Sequence, residues 1–166
     1  MRYAVLVILM VLGCENLAVV HALESDQRES LRVESLRGLP GVEVIVEDIK
    51  ADATTDGLSR EAVQTAVELI LRSNGIKVLA MPTAPYLYVN ISTMKEQGVY
   101  LFCTHLALKQ IVRLLPERNK EVFAATWSAG ELGSVGKNKL HQVVSVSLEP
   151  LVKRFANDFL TANPRK

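Results

Sequence analysis

Cysteine is scarce: the 166 residues hold 2, Cys14 and Cys103. If Cys14 leaves with a leader or is acylated, Cys103 has no partner within the chain. An internal disulfide framework is then excluded, and Cys103 is expected as a small buried apolar group. A surplus of one charge is also lacking. Lys plus Arg is 19 against 18 for Asp plus Glu, a net charge of +1. A nucleic-acid binder carries a clear basic excess, so nucleic acid is not expected as a partner. No apolar run is long enough to span a bilayer: Tyr3–Leu12 is ten residues, where a helix needs ~20. Aromatic residues make up only 5% of the chain and include a single Trp, so Tyr86, Tyr88 and Trp127 stand out as carriers of contact energy.

What is present starts with Arg2 ahead of that short apolar block. A cationic start and an apolar stretch of ~7 to 15 residues make the plan of a secretory signal. Two cuts compete. Val20 and Ala22 are small residues at minus three and minus one, and the polar LESDQRES that follows suits a mature start at Leu23. Alternatively, Val11-Leu12-Gly13-Cys14 has the form of a lipobox, with Cys14 as the lipidated first residue. The first cut implies a periplasmic or secreted protein. The second implies an outer-membrane lipoprotein, because several acyl chains anchor firmly where one does not. The domain reading is a signal peptide over residues 1–22, a charged segment over 23–38 and a single domain over 39–166.

Within that domain, Val42, Val44 and Val46 alternate with Glu43 and Ile45 as a strand. Ala51 to Gly57 reads as a polar connection. Ser59 is an N-cap with Leu58 placed to staple onto Val63. Val63, Ala66, Val67, Ile70 and Leu71 then trace one helical face, which Asn74 and Gly75 terminate. Short Ile76–Leu79, alternating Tyr86–Thr93, long Val99–Leu115 and Glu121–Ser128 read as strands, the last three antiparallel in series. The apolar positions from Leu140 to Phe159 keep helical phase across Pro150, where a kink or two abutting helices are expected. The order β-α-β-β-β-β-α predicts an α+β two-layer sandwich: a mostly antiparallel sheet of four to five strands with two helices on one face. The other face is expected to carry Tyr88, Asn90, Cys103 and His105.

Reactive patterns are incomplete. Thr126-Trp127-Ser128-Ala129-Gly130 is a nucleophile elbow without its first glycine, followed by ELGSVG rather than a helix. The ordinary reading is a strand end with a packed Trp127. Cys103 and His105 share one side of a strand, but a metal site wants three or four ligands and no others are placed nearby. His141 reads as a surface residue at a helix start. Gly130, Gly133 and Gly136 follow neither phosphate-cradle pattern and suggest a flexible connection. Asn90-Ile91-Ser92 matches a glycosylation sequon at a mid-strand position. No cofactor is implied.

Taken together, GLPGVEVIVEDI, DGLSREAV, PYLYVNI, AATWSAGELGSVG and FANDFLTANP resemble a family of small exported bacterial proteins to which no activity is assigned. The resemblance covers roughly Leu36 to Pro164 and brings no catalytic residues. In element order alone the chain is also similar to outer-membrane lipoproteins of lipopolysaccharide assembly and to auxiliary lipoproteins of lipid transport, a likeness that transfers no function. The functional expectation is an exported envelope or periplasmic module without catalysis, binding another envelope protein or an apolar ligand through the open sheet face or a strand edge. Tyr86, Tyr88 and Trp127 are its candidate contacts. The competing class is a small hydrolase using Ser128 or Cys103 with a histidine.

Overall fold

The computed structural model describes residues 26–80, 85–116 and 120–164. The expected signal peptide over residues 1–22, with Cys14, lies outside them. Helix α1 occupies residues 26–34. It is followed by β1 (Glu43–Val46), α2 (Ala51–Thr55), α3 (Arg60–Ser73), β2 (Tyr86–Glu96), β3 (Val99–Arg113), β4 (Glu121–Gly136), a 3-10 turn at Lys137–Lys139, and α4 (Leu140–Ala162). Among the described residues the strands form one four-stranded sheet in the order β1-β2-β3-β4. β1 runs parallel to β2, and the other two pairs are antiparallel. Helix α3 packs on β1 and on α4, which crosses β3 and β4, so both long helices share one face of an open sheet. None of the described helices is long and apolar enough to cross a membrane.

Local chemistry explains the elements that the sequence marks most clearly. The Ser59 hydroxyl accepts the Ala62 N–H at 3.3 Å, and Leu58 and Val63 are both buried beside this cap. At the other end Gly75 takes φ +77°, and the Ile76 N–H returns to the Leu71 carbonyl at 3.0 Å, closing the helix with a buried Ile76. Gln97 and Gly98, at φ +47° and +82°, form the tight β2–β3 turn, whose double positive φ matches the strand twist. Alternation then sorts the side chains. Val44, Val46, Leu87, Val89, Ile91, Tyr100, Phe102, Leu106, Leu108 and Trp127 point to the helices and are buried with Leu71, Val144, Leu148 and Phe155.

Several expectations change. Ile76–Leu79 contributes only the bridge Val42–Val78, so no fifth strand forms among the described residues. The connection after β1 contains the short α2, whose Ala53 is fully buried. β4 runs on through Gly136 instead of ending at Ser128, and the glycine-spaced stretch is strand rather than a flexible connection. At Gly133 a Cβ would lie 2.6 Å from the Phe102 ring, which rests over that position. Pro150 sits inside one continuous helix, α4, and does not divide it. Finally, the charged segment docks. Arg32 reaches the Asp158 carboxylate at 3.0 Å and the Ser128 carbonyl at 3.1 Å, and Asn163 bonds the Gly38 N–H and the Leu36 carbonyl.

Candidate binding face on the open side of the sheet

The side chains of β2, β3 and β4 that point away from the helices meet no layer among the described residues. In the middle of this face Tyr88 lies opposite Ala107, Asn90 opposite His105, and Ser92 opposite Cys103, which is the set of residues that alternation assigns there. A polar chain fixes them. The Tyr88 hydroxyl and the Asn90 amide both bond the Glu47 carboxylate, and the Ser92 hydroxyl donates to Asn90 Oδ1 at 2.9 Å. Lys109 Nζ stands 3.9 Å from the Tyr88 ring centroid, a cation over an aromatic face. The carboxylate beside it holds the Tyr88 phenol protonated, raising its pKa to about 12, and the same contact keeps Glu47 below the usual carboxylate range.

Apolar side chains flank this polar strip at both ends. At one end Phe123 stacks on Tyr86 with ring centroids 5.4 Å apart, beside an exposed Ile111. At the other end Met94, Val99, Leu101 and Leu132 cluster through the pairs Met94–Leu101 and Cys103–Leu132. Leu132 is 77% exposed and Leu101 is 47% exposed. A shallow hollow of about 310 Å³ lies among Met94, Glu96, Gln97, Val99 and Leu101. An antiparallel sheet with one solvated face normally alternates apolar inward with polar outward. β3 breaks that rule at Val99, Leu101 and Ile111.

The proposed contact residues separate. Tyr86 and Tyr88 lie on the open face, their rings 6.5 Å apart edge to face. Trp127 lies on the other side, 1% exposed, with its ring against Phe155 at 5.0 Å and its indole N–H donated to Asp158 at 2.8 Å. The structure places it in the core, beneath the Arg32 guanidinium. A cleft of about 450 Å³ runs past it between α1 and β4, with Leu31 and Thr126 among its walls.

The reactive residues do not assemble into a triad. Ser128 sits within β4, opposite Ala107, on a strand that continues to Gly136, so no strained elbow lifts its hydroxyl. Cys103 and His105 share the open face with it as the alternation requires, Cys103 being a half-buried free thiol. His141 begins α4 in the other layer and cannot serve Ser128. No group of three metal-ligating side chains exists among the described residues. Asn90 gives its amide to Glu47. The apolar members of the face, Phe123, Ile111, Met94, Leu101 and Leu132, were not singled out by sequence, although the doubly apolar pattern of Val99–Leu115 marks Leu101 and Ile111.

No family model matches the chain, and neither does any curated protein. Among solved structures, the chain is similar to a minor lipoprotein of Acinetobacter baumannii, at 9% identity and a TM-score of 0.32, over 74% of this chain and 92% of that one. A likeness at that level transfers neither ligand nor role.

Proposed function

We propose that the protein is a binding module of the cell envelope, acting without catalysis, whose open sheet face receives an apolar surface of another envelope protein. One observation carries this reading: the face that no described helix covers presents two apolar clusters to solvent, Phe123 with Ile111 and Leu101 with Met94 and Leu132. Exposed apolar clusters rimmed by polar residues mark interaction sites. The polar chain of Tyr88, Glu47, Asn90 and Ser92 divides the two apolar ends and supplies donors and acceptors that fix a partner's register. The envelope location rests on the leader-like amino terminus.

The test is photo-crosslinking in the native host. A crosslinking amino acid replaces Phe123 or Leu101 on the open face, and Leu69 serves as control because it is exposed to a similar degree on a helix. A discrete adduct is expected at the two sheet positions and not at Leu69. Equal labelling at all three would remove the face from consideration.

A further inference from the structure

β4 is an edge strand, and its two halves are treated differently. Residues 126–128 are covered: Thr126 is the extra residue of a bulge between the pairs Leu108–Trp127 and Lys109–Ala125, and α1 bonds this stretch through Arg32 to the Ser128 carbonyl and Ser35 to the Thr126 carbonyl. Among the described residues nothing covers the edge beyond Ser128. Ser128–Gly136 has no proline, lysine, arginine or bulge, and of the devices that keep exposed edges from pairing it carries a single charge, Glu131.

The direction of the free groups follows from the same contacts. The Ser128 carbonyl points away from β3 toward Arg32, while the Glu131 carbonyl accepts the Thr104 hydroxyl from β3. Alternation then turns the N–H and C=O of Gly130, Leu132 and Ser134 outward. Above this row stands Leu132, 77% exposed; below it stands Val146 of α4, 63% exposed. Between β4 and α4 lies a groove of about 280 Å³ lined by Phe102, Gly133, Val146 and Pro150. Pro150 has no N–H to give the Val146 carbonyl, which leaves an acceptor beside that groove.

We infer that this edge is a homodimer interface, β4 pairing antiparallel with β4 of a second copy about a two-fold axis through Leu132. The sequence is self-complementary in that register. Leu132 meets its own counterpart, Gly130 meets Ser134, and Glu131 faces Gly133 of the other copy, so the two Glu131 carboxylates are set diagonally and not directly opposite each other. On the helix side Val146 of one copy approaches Val146 of the other. Such a contact is isologous and closes at two copies. The edge is about 30 Å long at ~3.4 Å per residue, and two layers ~10 Å apart give it depth. It would bury on the order of 600 Å² per copy against ~800 Å² for a standard stable interface, so the dimer is reversible. It does not depend on the open face having a partner.

Sedimentation of the protein purified from its own host, over a range of concentrations, tests the pairing. A monomer–dimer equilibrium is expected. Leu132→Lys, which sets two lysines against each other, and Val146→Glu, on the opposite side of the strand, are each expected to shift it to monomer at least tenfold, with unchanged circular dichroism and with unchanged melting at concentrations where the wild type is also monomeric. In a Cys103→Ser background, Leu132→Cys is expected to form an intermolecular disulfide, because a hydrogen-bonded antiparallel pair sets its Cα atoms ~5.5 Å apart, within disulfide range. Leu101→Cys, one strand further from the axis, is expected not to. A monomer at every concentration, a dimer indifferent to both surface variants, or equal crosslinking at Leu132→Cys and Leu101→Cys overturns the proposal.

Discussion

Tyr88 shows how one contact ties a single side chain to the state of the open face. Its hydroxyl donates to Glu47, and the phenol is pushed up to about 12 chiefly by that bond. A group whose folded pKa lies above its unfolded value contributes stability that is complete below the unfolded value and lost as pH rises through the folded one. The Tyr88 contribution is therefore intact below pH ~10 and disappears between ~10 and 12. Glu47 behaves in the opposite sense: its bonded carboxylate supports the fold above the ordinary carboxylate range, and that support fades in acid as the group is protonated. Per-residue NMR of the tyrosine ring carbons checks this. Tyr88 is expected to titrate at about 12 in the wild type and to fall back toward ~10 in Glu47→Gln. A Tyr88 midpoint near 10 with Glu47 in place would mean that the bond does not persist in solution. The same scale explains why Trp127 misled: its composition value as a rare aromatic said nothing of which side of β4 it occupied. The bulge at Thr126 is fixed by Gln110 and Ser35 from distant parts of the chain, and it shifts the pairing on one side of Trp127.

Elements differ in how much of their definition is local. Helix α3 was legible to its caps because Ser59, Leu58, Val63, Gly75 and Ile76 act within a few residues of one another. β4 was not, because its length depends on β3. Gly133 looks like a loop residue until Phe102 is seen lying across it, which makes the missing side chain a packing requirement. Gly133→Ala is expected to destabilise the fold by about 1–3 kcal/mol through overpacking. Gly136→Ala, where an added Cβ meets nothing within 4 Å, is expected to be neutral or slightly stabilising, by less than about 1 kcal/mol, since it restricts the unfolded chain. Urea denaturation of the two variants separates these outcomes; equal midpoints would contradict the packing account. Pro150 makes the converse point. Sequence argues for a break, yet the apolar face of Val144, Leu148, Leu151 and Phe155 is buried on both sides of the proline and keeps one helix running.

For the whole molecule, the layer order and the polar middle of the open face were readable because hydrophobic period and turn chemistry agree along most of the chain, whereas the exposed apolar ends of that face were not, because exposure depends on which side the helices take. That asymmetry gives two adjoining surfaces that share Leu132: the open face, and the β4 edge beside it. They can be distinguished in solution by an apolar fluorescent dye. The wild-type protein is expected to bind the dye in its native state, and the double variant Leu101→Ser, Ile111→Ser to lose most of that signal. Both positions are about half exposed, and such surface changes cost about 0.5 kcal/mol or less, so the melting temperature should hold. Val146→Glu lies on the helix side of the edge, so dye bound per chain should be unchanged while the sedimentation coefficient falls. If the dye signal instead tracks Val146→Glu and ignores Leu101 and Ile111, the exposed apolar surface that matters is the groove beneath β4 and not the face of the sheet.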